Sequence, residues 1–336
     1  AAWDHGSTTT LFSCTKAVTS VAALRLVDRH ELELDAPVAH YWPQFAAGGK
    51  GDITVRQVFA HLCGLPDLRI TDPDELLDPI GIADSLARRE PVHAPGRFWT
   101  YHALSHGYLL GELVRRITGE SVGTLIAREI ADPLGLDFWV GTPEHAEGSV
   151  RLSAAEAPAP IVQLPADLDP AVSAAAEGGN EVLRLATRGP GGIPGSEYVN
   201  SRAFRAAEIP AGNGVGSARA LCHFYAACTA DLGGGPLLSP GLLAEARRDQ
   251  AARASALPGA SRKQYGLGLD LAYDANPMLG AGSFGHGGMG GRLGFAHPAS
   301  GVAFGYATTL TRWTPIGADP RWLPILAALR RSLPRA

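Results

Sequence analysis

In the stretch LFSCTKAV, residues 11–18, Ser13 and Lys16 stand three apart, a spacing that puts both side chains on one face of a helix. A serine hydroxyl becomes a useful nucleophile once a neighbour takes its proton, and a lysine whose ammonium is desolvated is such a neighbour. The helix N-terminus adds free N–H groups and positive potential beside the serine. The plain alternative is a Ser that caps the helix and a Lys held in water. Only Lys16, Lys50 and Lys263 are lysines among 29 basic residues, so a scarce residue type falls one turn after this serine.

Two further stretches are able to complete a site. Trp99-Thr100-Tyr101-His102-Ala103 follows the Pro95-Gly96 turn and precedes an amphipathic segment, so Tyr101 would sit at a helix mouth with its hydroxyl in a cleft. The charge of a nearby Lys16 would favour the phenolate and make Tyr101 a general base. His286-Gly287-Gly288-Met289-Gly290-Gly291 reads as a glycine-rich strand that lets a substrate approach the backbone, with a strand N–H joining that of Ser13 in an oxyanion hole. Taken singly, the tyrosine reads equally as a packing residue and the glycines as a bulge. Gly119-Glu120-Ser121-Val122-Gly123 matches a G-x-S-x-G elbow, but a helix rather than a strand precedes it, which makes Ser121 an N-cap. Gly212 to Gly216 lacks the last glycine of a dinucleotide loop. His102 and His106 lack the Glu and third ligand of a metal site and read as structural or substrate-lining, so neither metal nor cofactor is expected.

The elements that must position these residues follow from periodicity. A largely apolar helix runs from Ser13 to Asp28, a short helix lies within residues 53–67 before Gly64 and Pro66, and an amphipathic helix ends at Gly119. Residues 151–200 read as a long irregular connection, and a further helix covers 218–232. YGLGLDLAY, GSFGHGGMGG, RLGFAHPASG and VAFGYATTL read as antiparallel strands, with a hairpin turning on Pro298-Ala299-Ser300-Gly301, and RWLPILAALRRSL closes the chain as an amphipathic helix. Helices first, strands second and a helix last is α+β logic in 336 residues that can bury a full core.

A net charge of −4 argues against nucleic-acid and membrane-surface binding. Four cysteines without regular spacing, no apolar run of membrane-spanning length and no signal-peptide pattern make the cytoplasm the default compartment. Oligomeric state is not readable.

The ordered motifs FSCTK, HLCGLP, YHALSHGYLLGELVRRITG, EIPAGNGVGSAR and FGHGGMGGRLGFAHPASGVAFGY together resemble the serine β-lactamase and penicillin-binding-protein superfamily, most of all the family VIII esterases related to class C β-lactamases. The resemblance implies a single β-lactamase-like catalytic domain over residues 1–336. It divides into a helical subdomain near 50–210 and an antiparallel sheet subdomain, flanked by helices, from 1–49 and 211–336. It also implies that sheet strands normally precede the nucleophile's helix, so a longer protein is expected. By position, Ser13 would be the acylated nucleophile, Lys16 its activator and Tyr101 the proton shuttle. The N–H groups of Ser13 and Met289 would form the oxyanion hole, while His286, Gly287, Gly288, Trp99, His102 and Asn213 would line the substrate. Tyr101-His102-Ala103 stands where β-lactamases carry Tyr-x-Asn, and His286-Gly287-Gly288 where they carry Lys-Thr-Gly. These departures favour a small-molecule carboxylic ester over a lactam. Acyl transfer, β-lactam hydrolysis, D-aminopeptidase activity or silent ligand binding use the same cleft and stay open.

Overall fold

The computed structural model describes residues 3–155, 197–255, 263–274, 276–312 and 318–333. Helix α1 spans Cys14–Asp28 and has almost no polar face: every residue from Cys14 to Leu24 is buried, as is Leu26. A helix apolar on all sides is packed on all sides. Helix α4 (Ser105–Thr118) and the short helix Val122–Ile126 pack against α1, and α2 (Val55–Phe59) and α3 (Pro79–Arg88) pack in turn on α4. The segment expected as a helix within 53–67 is helical only over Val55–Phe59. Thr54 and Gln57 form a reciprocal capping box at its start, and the backbone turns left-handed at His61 before it reaches Gly64. Gly119 closes α4 in the left-handed conformation, as the sequence anticipates.

Opposite the helices stands a four-stranded antiparallel sheet of β4 (Asp270–Leu271), β5 (Phe284–Gly288), β6 (Arg292–His297) and β7 (Val302–Tyr306), ordered as numbered. A smaller sheet pairs β1 (Thr9–Thr10) and β2 (Phe138–Trp139) on either side of β3 (Val215–Gly216). The expected hairpin is present, with residues 298–300 turning between β6 and β7 and Gly301 left-handed. Alternation along β6 separates its two faces. Leu293 and Phe295 meet Trp322 and Leu326 at helix α6 (Leu323–Ser332), while Gly294 and Ala296 face the main core. Helix α5 (Ala218–Thr229) ends three residues short of the expected 232 and packs on β6 and β7. It lies so close that a Cβ at Gly294 or Gly305 would overlap the Tyr225 ring or the Ala218 carbonyl. YGLGLDLAY yields two strand residues rather than a full strand, because Gly266 and Gly268 lie tight against Ala246 and Ser20 and bend the chain before Asp270. Most of the connection expected over 151–200 lies outside the described residues. Among the described residues no helix is long and apolar enough to cross a membrane.

Candidate active site

Ser13 begins the last step from β1 into α1. Its side chain caps no backbone N–H, so the hydroxyl is free for other partners. Phe12, just before it, adopts a left-handed φ of 47°, a conformation costly for a bulky residue. Thr15 holds this turn from inside: its hydroxyl donates to the Phe12 carbonyl at 2.5 Å and accepts from the Gly214 N–H at 2.9 Å.

Lys16 Nζ donates to Ser13 Oγ at 3.1 Å and to the Ala211 carbonyl at 2.9 Å. Among the described residues no carboxylate contacts it directly, and its side chain is fully buried. Burial pulls the Lys16 amine down to about 7, with Lys263 pressing the same way and Asp270 opposing. Near neutrality a large share of Lys16 is therefore a neutral amine one hydrogen bond from the serine.

Tyr101 closes the group. The Ser13 hydroxyl is the neighbour that favours its ionised form. The Lys16 ammonium lies 4.9 Å from its ring centroid and that of Lys263 5.4 Å. The phenolate expected from the sequence is corrected by this environment. Desolvation outweighs the influence of Ser13 and pushes the phenol well above its ordinary 10, so Tyr101 stays protonated and Lys16 is the group able to accept a proton.

Strand β5 runs past the mouth of α1. The Cys14 thiol donates to the His286 carbonyl at 3.3 Å, and a Cβ on Gly288 would overlap the Leu11 carbonyl oxygen. Glycine is needed there because the strand end and the turn before Ser13 touch backbone to backbone. Gly287, Gly288 and Met289 stay partly exposed, as do Ser13, Tyr101 and Trp99, so these residues share an accessible mouth.

Three expected substrate-lining side chains do not reach that mouth. His286 is 1% exposed; burial pulls its imidazole down to about 4, its Nδ1 pairs with the Gly287 carbonyl at 2.7 Å and its Nε2 with the Tyr265 hydroxyl at 3.3 Å. His102 is fully buried: its Nε2 accepts from the Leu65 N–H at 3.0 Å and its Nδ1 meets the Thr100 carbonyl at 2.5 Å, which ties HLCGLP to WTYHA and so sets Tyr101. The Asn213 carboxamide accepts from the Ile209 N–H at 3.0 Å and donates to the Phe204 and Ala207 carbonyls at 2.7 Å each. It therefore shapes the turn whose Ala211 carbonyl receives Lys16. In each case the polar atoms of the buried side chain are met by backbone groups or, for His286 Nε2, by the Tyr265 hydroxyl, which leaves nothing for a ligand.

Ser121 caps the helix that follows it, accepting from the Thr124 N–H and donating to Glu208 at 2.5 Å, in a separate cleft with Glu112 and Arg115. The described residues hold no group of three or more His, Cys, Asp or Glu arranged for a metal ion.

Sequence reasoning missed Asp270, Lys263 and Arg292. Asp270 is buried; burial alone would raise its carboxyl, but the Lys263 ammonium at 3.6 Å, His286 and the Gly287 N–H hold it below the usual range. Lysine scarcity was the available signal, since two of the three lysines meet on the Tyr101 ring. The third, Lys50, is buried among the carbonyls of Ala47, Ala87 and Arg89 and is structural.

Residues 1–329 match the β-lactamase family, and the chain belongs to it. Among curated proteins it is 34% identical over 313 residues to the esterase/β-lactamase LipL of Mycobacterium tuberculosis, covering 90% of this chain and 69% of LipL. Among solved structures a family VIII carboxylesterase superposes with a TM-score of 0.80 at 29% identity, over 98% of this chain and 84% of that one. A penicillin-binding-protein homologue from Caulobacter crescentus does so with a TM-score of 0.80 at 32% identity, over 98% and 85%.

Proposed function

We propose that this chain is a serine carboxylesterase that works through an acyl-enzyme on Ser13. The observation that carries the reading is the 3.1 Å hydrogen bond between Ser13 Oγ and a buried Lys16 whose amine titrates near 7. Ser13 Oγ attacks the ester carbonyl as its proton passes to neutral Lys16. The N–H groups of Ser13 and Met289 receive the oxyanion. The protonated Lys16, through the Tyr101 hydroxyl, returns the proton to the departing alkoxide, and water then attacks the acyl group by the same route in reverse.

The choice of ester over lactam rests on the side chains around the mouth. Ala103, where a β-lactamase carries a side-chain amide, is short and buried, and His286, in place of a lysine, is neutral and turned inward. The family VIII carboxylesterase among the structural relatives points the same way. β-Lactam hydrolysis is kept as a second reading because LipL is named as both esterase and β-lactamase.

The test is hydrolysis of p-nitrophenyl acetate and butyrate by the wild type and by Ser13→Ala, with intact-mass detection of a fluorophosphonate adduct. Activity that vanishes in Ser13→Ala, with the label on Ser13, supports the reading. A label on Ser121 or an unimpaired Ser13→Ala removes it. Nitrocefin turnover comparable with ester turnover would favour the lactam reading.

A further inference from the structure

The turn from Gly288, the last residue of β5, to Gly291 is held from behind at every carbonyl. The Gly288 carbonyl accepts from the Gly291 N–H at 3.2 Å, and that of Met289 from Arg292 Nη1 at 3.0 Å. The Gly290 carbonyl accepts from Arg321 Nη2 and the Gly291 carbonyl from Trp322 Nε1, each at 2.7 Å. With the carbonyls pinned, the peptide planes are set, including the one that carries the Met289 N–H. Side chains at Gly290 and Gly291 would collide with the Arg292 and Arg321 guanidinium groups, so the glycines make the cationic backing possible.

The two arginines differ in charge balance. Arg321 is paired with Asp319 at 2.6 Å. Arg292 is fully buried and has no carboxylate partner among the described residues. Its other acceptors are the neutral hydroxyls of Thr311 at 2.9 Å and Ser153 at 3.0 Å, and its Nε has no partner among the described residues. Burial pulls it down to about 9, which leaves it charged at neutral pH. The neighbouring Cys14 thiol, pushed up to about 12 by burial, supplies no counter-charge. Arg292 also lies 4.8 Å from the ring centroid of Phe12, the residue before Ser13. A buried, uncompensated cation is costly to keep, and a fixed positive charge close to a developing oxyanion stabilises it.

We propose that Arg292 is a positioning residue for oxyanion stabilisation: its guanidinium fixes the Met289 turn and places a standing positive charge behind the two N–H groups that receive the negative oxygen. This rests on the esterase reading above. The substrate itself meets only the backbone in front, so Arg292 acts on the charge that develops in the reaction rather than on ester binding.

The experiment compares wild type, Arg292→Met and Arg292→Lys on p-nitrophenyl butyrate. It also measures inhibition by phenylboronic acid, to whose boron Ser13 Oγ adds, with loss of the hydroxyl proton to Lys16, to give an anionic tetrahedral adduct. Arg292→Met is expected to lower kcat by about ten- to a hundredfold with KM within about twofold, to weaken phenylboronic acid by a similar factor, and to be partly rescued in Arg292→Lys. Folded Arg292→Met with wild-type kcat and wild-type phenylboronic acid affinity overturns the proposal, as does a loss in kcat with no loss in boronate affinity. If Arg292→Met does not fold, Thr311→Val, which keeps the charge and removes one of its acceptors, should show the same split at smaller size. Wild-type values of both quantities there overturn the proposal equally. A wild-type enzyme that hydrolyses the ester without any Ser13 adduct defeats the Ser13 acyl-enzyme reading instead, and that outcome is visible before any variant is made.

Discussion

At the scale of single residues, the proposed mechanism makes Lys16 the group that sets the working pH. A lysine amine depressed to about 7 is protonated below that value and neutral above it, so the base form grows as pH rises. The acid limb of kcat/KM for an ester should therefore rise through about pH 7 to a plateau. Lys16→Arg, whose guanidinium stays charged, should lose that plateau along with nearly all activity. A limb centred above pH 9 would assign the base to the Tyr101 phenolate and contradict the environment described here. The residues of this site were legible to different degrees for a physical reason. Ser13 and Lys16 are close in sequence and linked by helical spacing, and Tyr101 stands beside a recognisable helix mouth. Asp270 and Arg292 reach the site by folding alone, on strands whose glycine-rich patterns announce backbone approach and say nothing about which charges lie beneath. His102, Asn213 and His286 were misplaced because a polar residue near a motif looks alike whether it greets a ligand or satisfies a buried carbonyl.

At the scale of elements, two glycine and capping positions separate function from support. Gly288→Ala would drive a methyl into the Leu11 carbonyl and against the Arg292 Cβ at 3.0 Å, pushing the end of β5 away from Ser13. Misplacement by even ~1 Å can cost on the order of a hundredfold in rate, so kcat should fall by about ten- to a hundredfold in steady-state assays of folded protein. Ser121→Ala removes a cap and the hydrogen bond to Glu208 in a different cleft. It should cost about 1–2 kcal/mol in denaturant unfolding while kcat stays within about twofold of wild type. Most element boundaries were readable because capping residues and glycines end helices by local chemistry. The segment 53–67 and the strand near Asp270 were not, since there the chain bends to satisfy tertiary neighbours: the left-handed His61 packs against Tyr101, and Gly268 lies on Ser20.

At the scale of the whole molecule, α1 links reactivity to the fold. Both catalytic candidates on it, Ser13 and Lys16, stand at the start of a helix enclosed by the α4 side, the β5 side and the turn at Pro210 and Ala211. A helix buried from Cys14 to Leu24 has no cheap partial opening over that stretch. Deuterium uptake at the amides of Val18 to Leu24 should thus follow the global unfolding free energy, and heat inactivation should coincide with the melting transition. Slow exchange that nonetheless becomes rapid well below the melting temperature would show α1 opening by itself. On the acyl-enzyme proposal, the enclosed helix implies that Ser13 and Lys16 lose their arrangement only when the fold is lost, so the amount of folded protein should track the number of sites that a fluorophosphonate labels.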